Sequence, residues 1–81
     1  MKYKLFQQVA LAMDIPEKRL RRGDLATVVE HHPAGQGEPG YSVEVFNALG
    51  ETITVTVVPE SFLQELTADE ILHVRSLAES I

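Results

Sequence analysis

Tyr41-Ser42-Val43-Glu44-Val45-Phe46, Asn47-Ala48-Leu49-Gly50-Glu51 and Thr52-Ile53-Thr54-Val55-Thr56-Val57-Val58 follow one another without a break, and they decide the fold class. The first run alternates, with Tyr41, Val43 and Val45 on one face and Ser42 and Glu44 on the other. The third run also alternates, threonines against Ile53, Val55 and Val57. A period of two in β-branched and aromatic residues is the pattern of a half-buried strand. The middle run turns the chain, and Gly50 supplies the positive φ that such a turn uses. The reading is an antiparallel hairpin with one wet face. It places Ile53, Val55 and Val57 on the core side and the threonines in water.

Upstream, residues 33–40 hold three glycines and two prolines and form a loop. Before it, Leu25-Ala26-Thr27-Val28-Val29-Glu30-His31 is a second strand, entered through the turn signal Gly23-Asp24. The segment from Leu5 to Met13 reads as a first strand, with Val9 and Leu11 facing one way and Gln8, Ala10 and Ala12 the other. Asp14-Ile15-Pro16-Glu17 ends it, because proline fixes φ and pushes the preceding residue away from helix.

Downstream, Pro59-Glu60-Ser61 suits one turn of 3₁₀ helix, and Phe62 to Leu66 a brief fifth strand. The period then changes. Thr67-Ala68-Asp69-Glu70 has the Thr-x-x-Glu form of a capping box, with acids in the first turn. Ile71, Val74, Ala78 and Ile81 recur at helical spacing with Leu77 beside them, so a closing helix of about 13 residues is predicted, marginal alone and in need of a surface. A flat sheet of these strands would leave two open edges and a bare apolar face. The expected fold is therefore mainly β: a small SH3-like barrel of about five antiparallel strands over residues 1–66. One C-terminal amphipathic α-helix over residues 67–81 completes it.

Composition bounds the function. The chain has 81 residues, which suit one domain, and 44% hydrophobic with 23% charged residues is globular, not disordered, composition. No cysteine is present, so disulfides, thiolate metal sites and thiol nucleophiles are excluded. No apolar stretch approaches the ~18–20 residues of a membrane span. The start MKYKLFQQVALAMD lacks the long apolar run of a secretory signal, so a cytoplasmic address is the expectation. The net charge of −5 hides a division: residues 1–29 hold six cations against three acids, and residues 30–81 hold Arg75 alone against nine acids.

Site chemistry is sparse. Adjacent histidines on a strand point to opposite faces, so His31 and His32 cannot easily share a metal, and His73 is remote. Ser42, Ser61, Ser76 and Ser80 have no neighbouring base and no nucleophile elbow. Gly35, Gly37 and Gly40 do not lead into a helix, as a phosphate loop requires. The expectation is a chain that is not an enzyme and uses no metal or cofactor. Two features remain. Lys18, Arg19, Arg21 and Arg22 cluster before the second strand, and the guanidinium groups suit carboxylate or phosphate. Ile71, Val74, Leu77 and Ile81 form a stripe that packs on its own barrel, on a partner protein, or on a second copy as a homodimer. The expected function is a small protein-binding module whose partner is a basic protein or a second copy. The alternative is an RNA-binding barrel using residues 18–22, against which the acidic remainder counts.

The block Asp14-Ile15-Pro16-Glu17-Lys18-x-Leu20-x-x-Gly23-Asp24-x-x-Thr27-Val28-Val29-Glu30 resembles a group of small uncharacterised bacterial domains, frequent in cyanobacteria. Val9-Ala10-Leu11, the run from Tyr41 to Phe46 and Gly50-Glu51-Thr52 fit it too, and the likeness covers roughly residues 5 to 66. It implies an SH3-like barrel without catalytic residues. Some members are encoded beside a second small protein in a toxin–antitoxin-like arrangement, which implies an antitoxin-like role with a protein partner. This chain departs at Ala26, where the family usually has glycine, and in the segment from Thr67 onward.

Overall fold

The computed structural model describes residues 1–78 of the chain. Five strands form one antiparallel sheet: β1 (Gln8–Leu11), β2 (Leu25–His32), β3 (Gly40–Phe46), β4 (Thr52–Pro59) and β5 (Leu63–Glu65). Two 3₁₀ turns, Pro16–Lys18 and Glu60–Phe62, precede β2 and β5. The strand order is β4-β3-β2-β1-β5. Five antiparallel strands match the sequence reading. Among the described residues no ladder joins β4 to β5, so the sheet keeps both edges.

β2 holds the sheet together because its two halves serve different neighbours. Leu25 to Thr27 pair with β1, and Thr27 to His32 pair with β3. A register shift between Val28 and Glu30 lies in the second half. Such a bulge bends the strand and raises its local twist, which curls the sheet around its apolar side. That side holds Val9, Leu11, Ala26, Val28, Tyr41, Val43, Val45, Val58 and Leu63, joined by Tyr3, Ile15 and Leu20 in one buried cluster.

Tyr41 ties the amino-terminal segment into this core. Its ring is fully buried and meets the Tyr3 ring edge-on at 5.5 Å between centroids. Its hydroxyl accepts from the Lys2 and Tyr3 N–H groups at 3.2 Å each and donates to Glu60 Oε2 at 2.8 Å. The Tyr3 hydroxyl donates to the Leu63 carbonyl at 3.1 Å. One phenol oxygen thus fills its whole hydrogen-bonding capacity inside the protein.

β1 is shorter than predicted. The chain turns at residues 4–7, where the Gln7 N–H donates to the Lys4 carbonyl, and Phe6 sits at φ +67° with its side chain exposed. A bulky residue at positive φ carries strain of about 1–3 kcal/mol. Glycine would remove that strain at an entropy cost of about 0.5–1 kcal/mol. Phe6→Gly is therefore expected to raise stability by about 1 kcal/mol, read as a higher urea midpoint. A lower midpoint would mean that the exposed ring makes contacts worth more than the strain.

Two expectations are corrected by the structure. The first is the inward face of β4. β4 pairs with β3 so that Thr56 lies opposite Val43 and Thr54 opposite Val45, while Val55 faces Glu44 and Val57 faces Ser42. Thr54 and Thr56 therefore share the core side, and Val55 and Val57 are 52% and 63% exposed. A register shift between Val45 and Phe46 falls just beyond, next to Ile53, which is half-buried against the core. Register decides which face is wet, and the turn at 47–51 sets register.

The second is the C-terminal α-helix. Among the described residues no helix longer than three residues occurs, and 66–78 form an irregular strap. Half of the capping box forms: the Thr67 N–H donates to Glu70 Oε1 at 2.6 Å, but the Thr67 hydroxyl donates to Asp69 Oδ1, and the Glu70 N–H bonds the Thr67 carbonyl at 3.1 Å instead. It does not propagate. A helix of this length is marginal in water, and β-branched Ile71 and Val74 lower its propensity further. Arg75 instead fastens the strap to the turn before β2, a contact that outweighs marginal helicity. Ile81, the last member of the predicted stripe, lies outside the described residues.

Candidate functional site

The basic turn is built on two buried anchors. Ile15 and Leu20 form a β-bridge, bonded in both directions at 2.9 and 3.1 Å, and both side chains enter the core. Between them the Pro16–Lys18 turn ends at Arg19 in the left-handed conformation, φ +60°. Two carboxylates then hold the backbone beyond: the Arg21 N–H donates to Asp24 Oδ2 at 2.7 Å and the Arg22 N–H to Asp14 Oδ1 at 2.8 Å. This scaffold leaves the Lys18, Arg19 and Arg22 side chains exposed and the Arg21 side chain half-buried.

The strap crosses this turn. Arg75 Nε donates to Asp24 Oδ1 at 2.9 Å, and its terminal nitrogen reaches Asp24 Oδ2 at 2.5 Å and the Arg19 carbonyl at 3.0 Å. The two charged side chains are only 15% and 18% exposed. Burial pushes the Asp24 carboxyl up, but the Arg75 bond, the Arg21 amide and the charges of both arginines outweigh it and hold its pKa below the ordinary value. Strap and sheet enclose an open groove of about 1060 Å³, lined on the sheet side by Ala10, Leu20, Leu25, Val45 and Ile53.

The candidate residues thus come together in part. Lys18, Arg19, Arg21 and Arg22 lie beside the strap that carries Ile71, Val74 and Leu77, joined through Arg75 and Asp24. Ile71 and Val74 are 93% and 83% exposed, while Leu77 is half-buried and lines the groove. Asp24 and Arg75 are absent from the candidate residues that the sequence points to. The charge count held the one signal, since Arg75 stands alone against nine acids in residues 30–81.

The histidines separate as their alternation requires. The His31 ring lies 5.2 Å from that of Tyr41, whereas His32 Nε2 bonds Ser42 Oγ at 2.8 Å. Glu30 Oε1 stands 3.7 Å from the same His32 nitrogen. A nucleophile relay needs the acid on the opposite ring nitrogen from the serine, so this trio lacks that arrangement. Among the described residues no three His, Asp or Glu side chains gather as a metal site, and no helix is long and apolar enough to cross a membrane.

No curated protein and no solved structure matches the chain. One family model, described as a domain of unknown function (DUF4926), matches residues 5–65. That span ends with the last residue of β5, so the strap falls outside it. The chain belongs to the DUF4926 family.

Proposed function

We propose that this chain is a non-enzymatic protein-binding module whose partner takes the strap's apolar side chains together with the adjoining basic turn. The observation that carries this reading is the near-complete exposure of Ile71 and Val74 within a strap fixed at Arg75. Two bare β-branched side chains held beside Lys18, Arg19 and Arg22 fit an apolar cleft with an acidic rim. An antitoxin-like half of a two-protein pair is the form of this role that the family resemblance suggests. RNA is less well supported. Asp14, Glu17 and Asp24 interleave with the cations, and the two carboxylates at 14 and 24 occupy backbone donors that could otherwise meet phosphate.

The test is co-purification of the tagged chain with its partner, read by mass and stoichiometry. One protein at a fixed ratio is expected. The pair Ile71→Asp and Val74→Asp should cut its affinity at least tenfold, since truncating or charging a central apolar contact costs about 2 kcal/mol or more. Both positions are exposed, so the circular dichroism spectrum should not change. Undiminished binding by the double variant overturns the strap reading. Loss of the bound material on nuclease treatment would favour RNA.

A further inference from the structure

The outer edge of β4 bonds to no other strand among the described residues. The opposite edge of the sheet is protected: β5 has three residues and ends in Glu65. Short length and an edge charge are how sheets avoid unwanted pairing. β4 has neither device. Its eight residues, Thr52–Pro59, hold no charge and no glycine, and a proline appears only at the last position. Val55 and Val57, both more than half exposed, stand on its outer face.

We propose that β4 pairs with β4 of a second copy, antiparallel about a two-fold axis at Val55. The sequence of the strand argues for a copy over any other occupant. In that register Val55 meets Val55 of the copy, Thr54 meets Thr56 and Ile53 meets Val57, like with like, and the one mixed pair is the outermost, Thr52 with Val58. Such cross-strand pairs stabilise antiparallel sheets. A charge-seeking partner would find nothing on this edge to recognise. An identical strand needs only the backbone and the same alternation, and a two-fold interface must complement itself in this way. Two copies, each carrying −5, repel at long range, and Glu51 and Glu60 flank the strand. Pairing is therefore weak at low salt and tightens as salt screens these charges.

Sedimentation equilibrium on the full chain tests this. The mass should rise from 9.0 kDa towards twice that value as concentration approaches about 500 μM, and at lower concentration when salt is high. V55K sets two ammonium groups face to face on the axis and should weaken the dimer at least tenfold. V55E should do the same. Mixing V55K with V55E should restore a one-to-one dimer, because residue 55 pairs with itself. Ile71→Ser with Val74→Ser, which adds no charge, should leave the dimer unchanged, which separates this surface from the strap. A wild-type chain that stays monomeric throughout overturns the proposal, and so does a V55K chain that dimerises like wild type. If the charged variants fail to fold, the wild-type mass against concentration and salt still decides.

Discussion

Tyr41→Ala is expected to leave the chain largely unfolded at 25 °C. The ring is fully buried at the centre of the cluster, and removing a buried aromatic side chain costs about 3–5 kcal/mol. The hydroxyl adds to this. Without it the Lys2 and Tyr3 N–H groups lose their acceptor and Glu60 loses its donor, and each buried group left unsatisfied costs about 1–3 kcal/mol. At the usual 0.05–0.15 kcal/mol per residue, a chain of this length has about 4–12 kcal/mol in all. Tyr41→Phe separates the two contributions. It keeps the ring packing and should cost about 2–3 kcal/mol, read from urea midpoints at constant slope. Amide exchange at Lys2 and Tyr3 should quicken in this variant before it does elsewhere. If Tyr41→Phe costs under about 0.5 kcal/mol, water replaces the hydroxyl and the amino-terminal segment is held by the Tyr3 ring alone.

What the sequence discloses, and what it hides, divides by range. Alternation is local, so the hairpin strands and β2 agree with their predicted spans to within one residue at each end. The inward face of β4 is not local. It depends on the turn at 47–51 and the register it sets, and a one-residue change of register exchanges Thr56 for Val57 beside Val43. The early start of the predicted β1 fails because nothing in Leu5-Phe6-Gln7 announces a left-handed phenylalanine, as glycine or asparagine would. The strap fails differently. Its helical spacing is genuine and half of its capping box forms, but the contact that fixes it joins residues 51 apart, Asp24 and Arg75. Read as a sequence, Asp24 is a turn former and Arg75 an isolated cation. The basic turn was legible as a charge cluster. That it adjoins Ile71 and Val74 follows only from the latch.

Breaking that latch is the second large effect expected. Arg75→Ala should detach the strap while leaving the sheet intact, because no strand rung passes through residues 66–78. The loss of a two-pronged bond to a carboxylate is expected to cost about 1.5–3 kcal/mol. Arg75→Lys should not rescue it, since an ammonium cannot span both Asp24 oxygens and the Arg19 carbonyl in the same plane. Asp24→Ala should cost more than Arg75→Ala, because it also strips the acceptor from the Arg21 N–H in the turn that enters β2. Acid provides the same perturbation without mutation. The folded Asp24 pKa lies below its ordinary value of 3.8, so the unfolded chain takes up this proton more readily than the folded one. The stabilisation is therefore fully present above that ordinary value and is lost as pH falls through the lower, folded one. In a His73→Gln chain, which removes the imidazole between the two reporters, chemical shifts of Ile71 and Val74 should stay constant from about pH 5 to 8 and move towards free-chain values only in stronger acid. In Arg75→Ala they should already sit near those values at pH 7. Shifts that titrate near neutrality instead would mean that something other than the Asp24–Arg75 pair holds the strap.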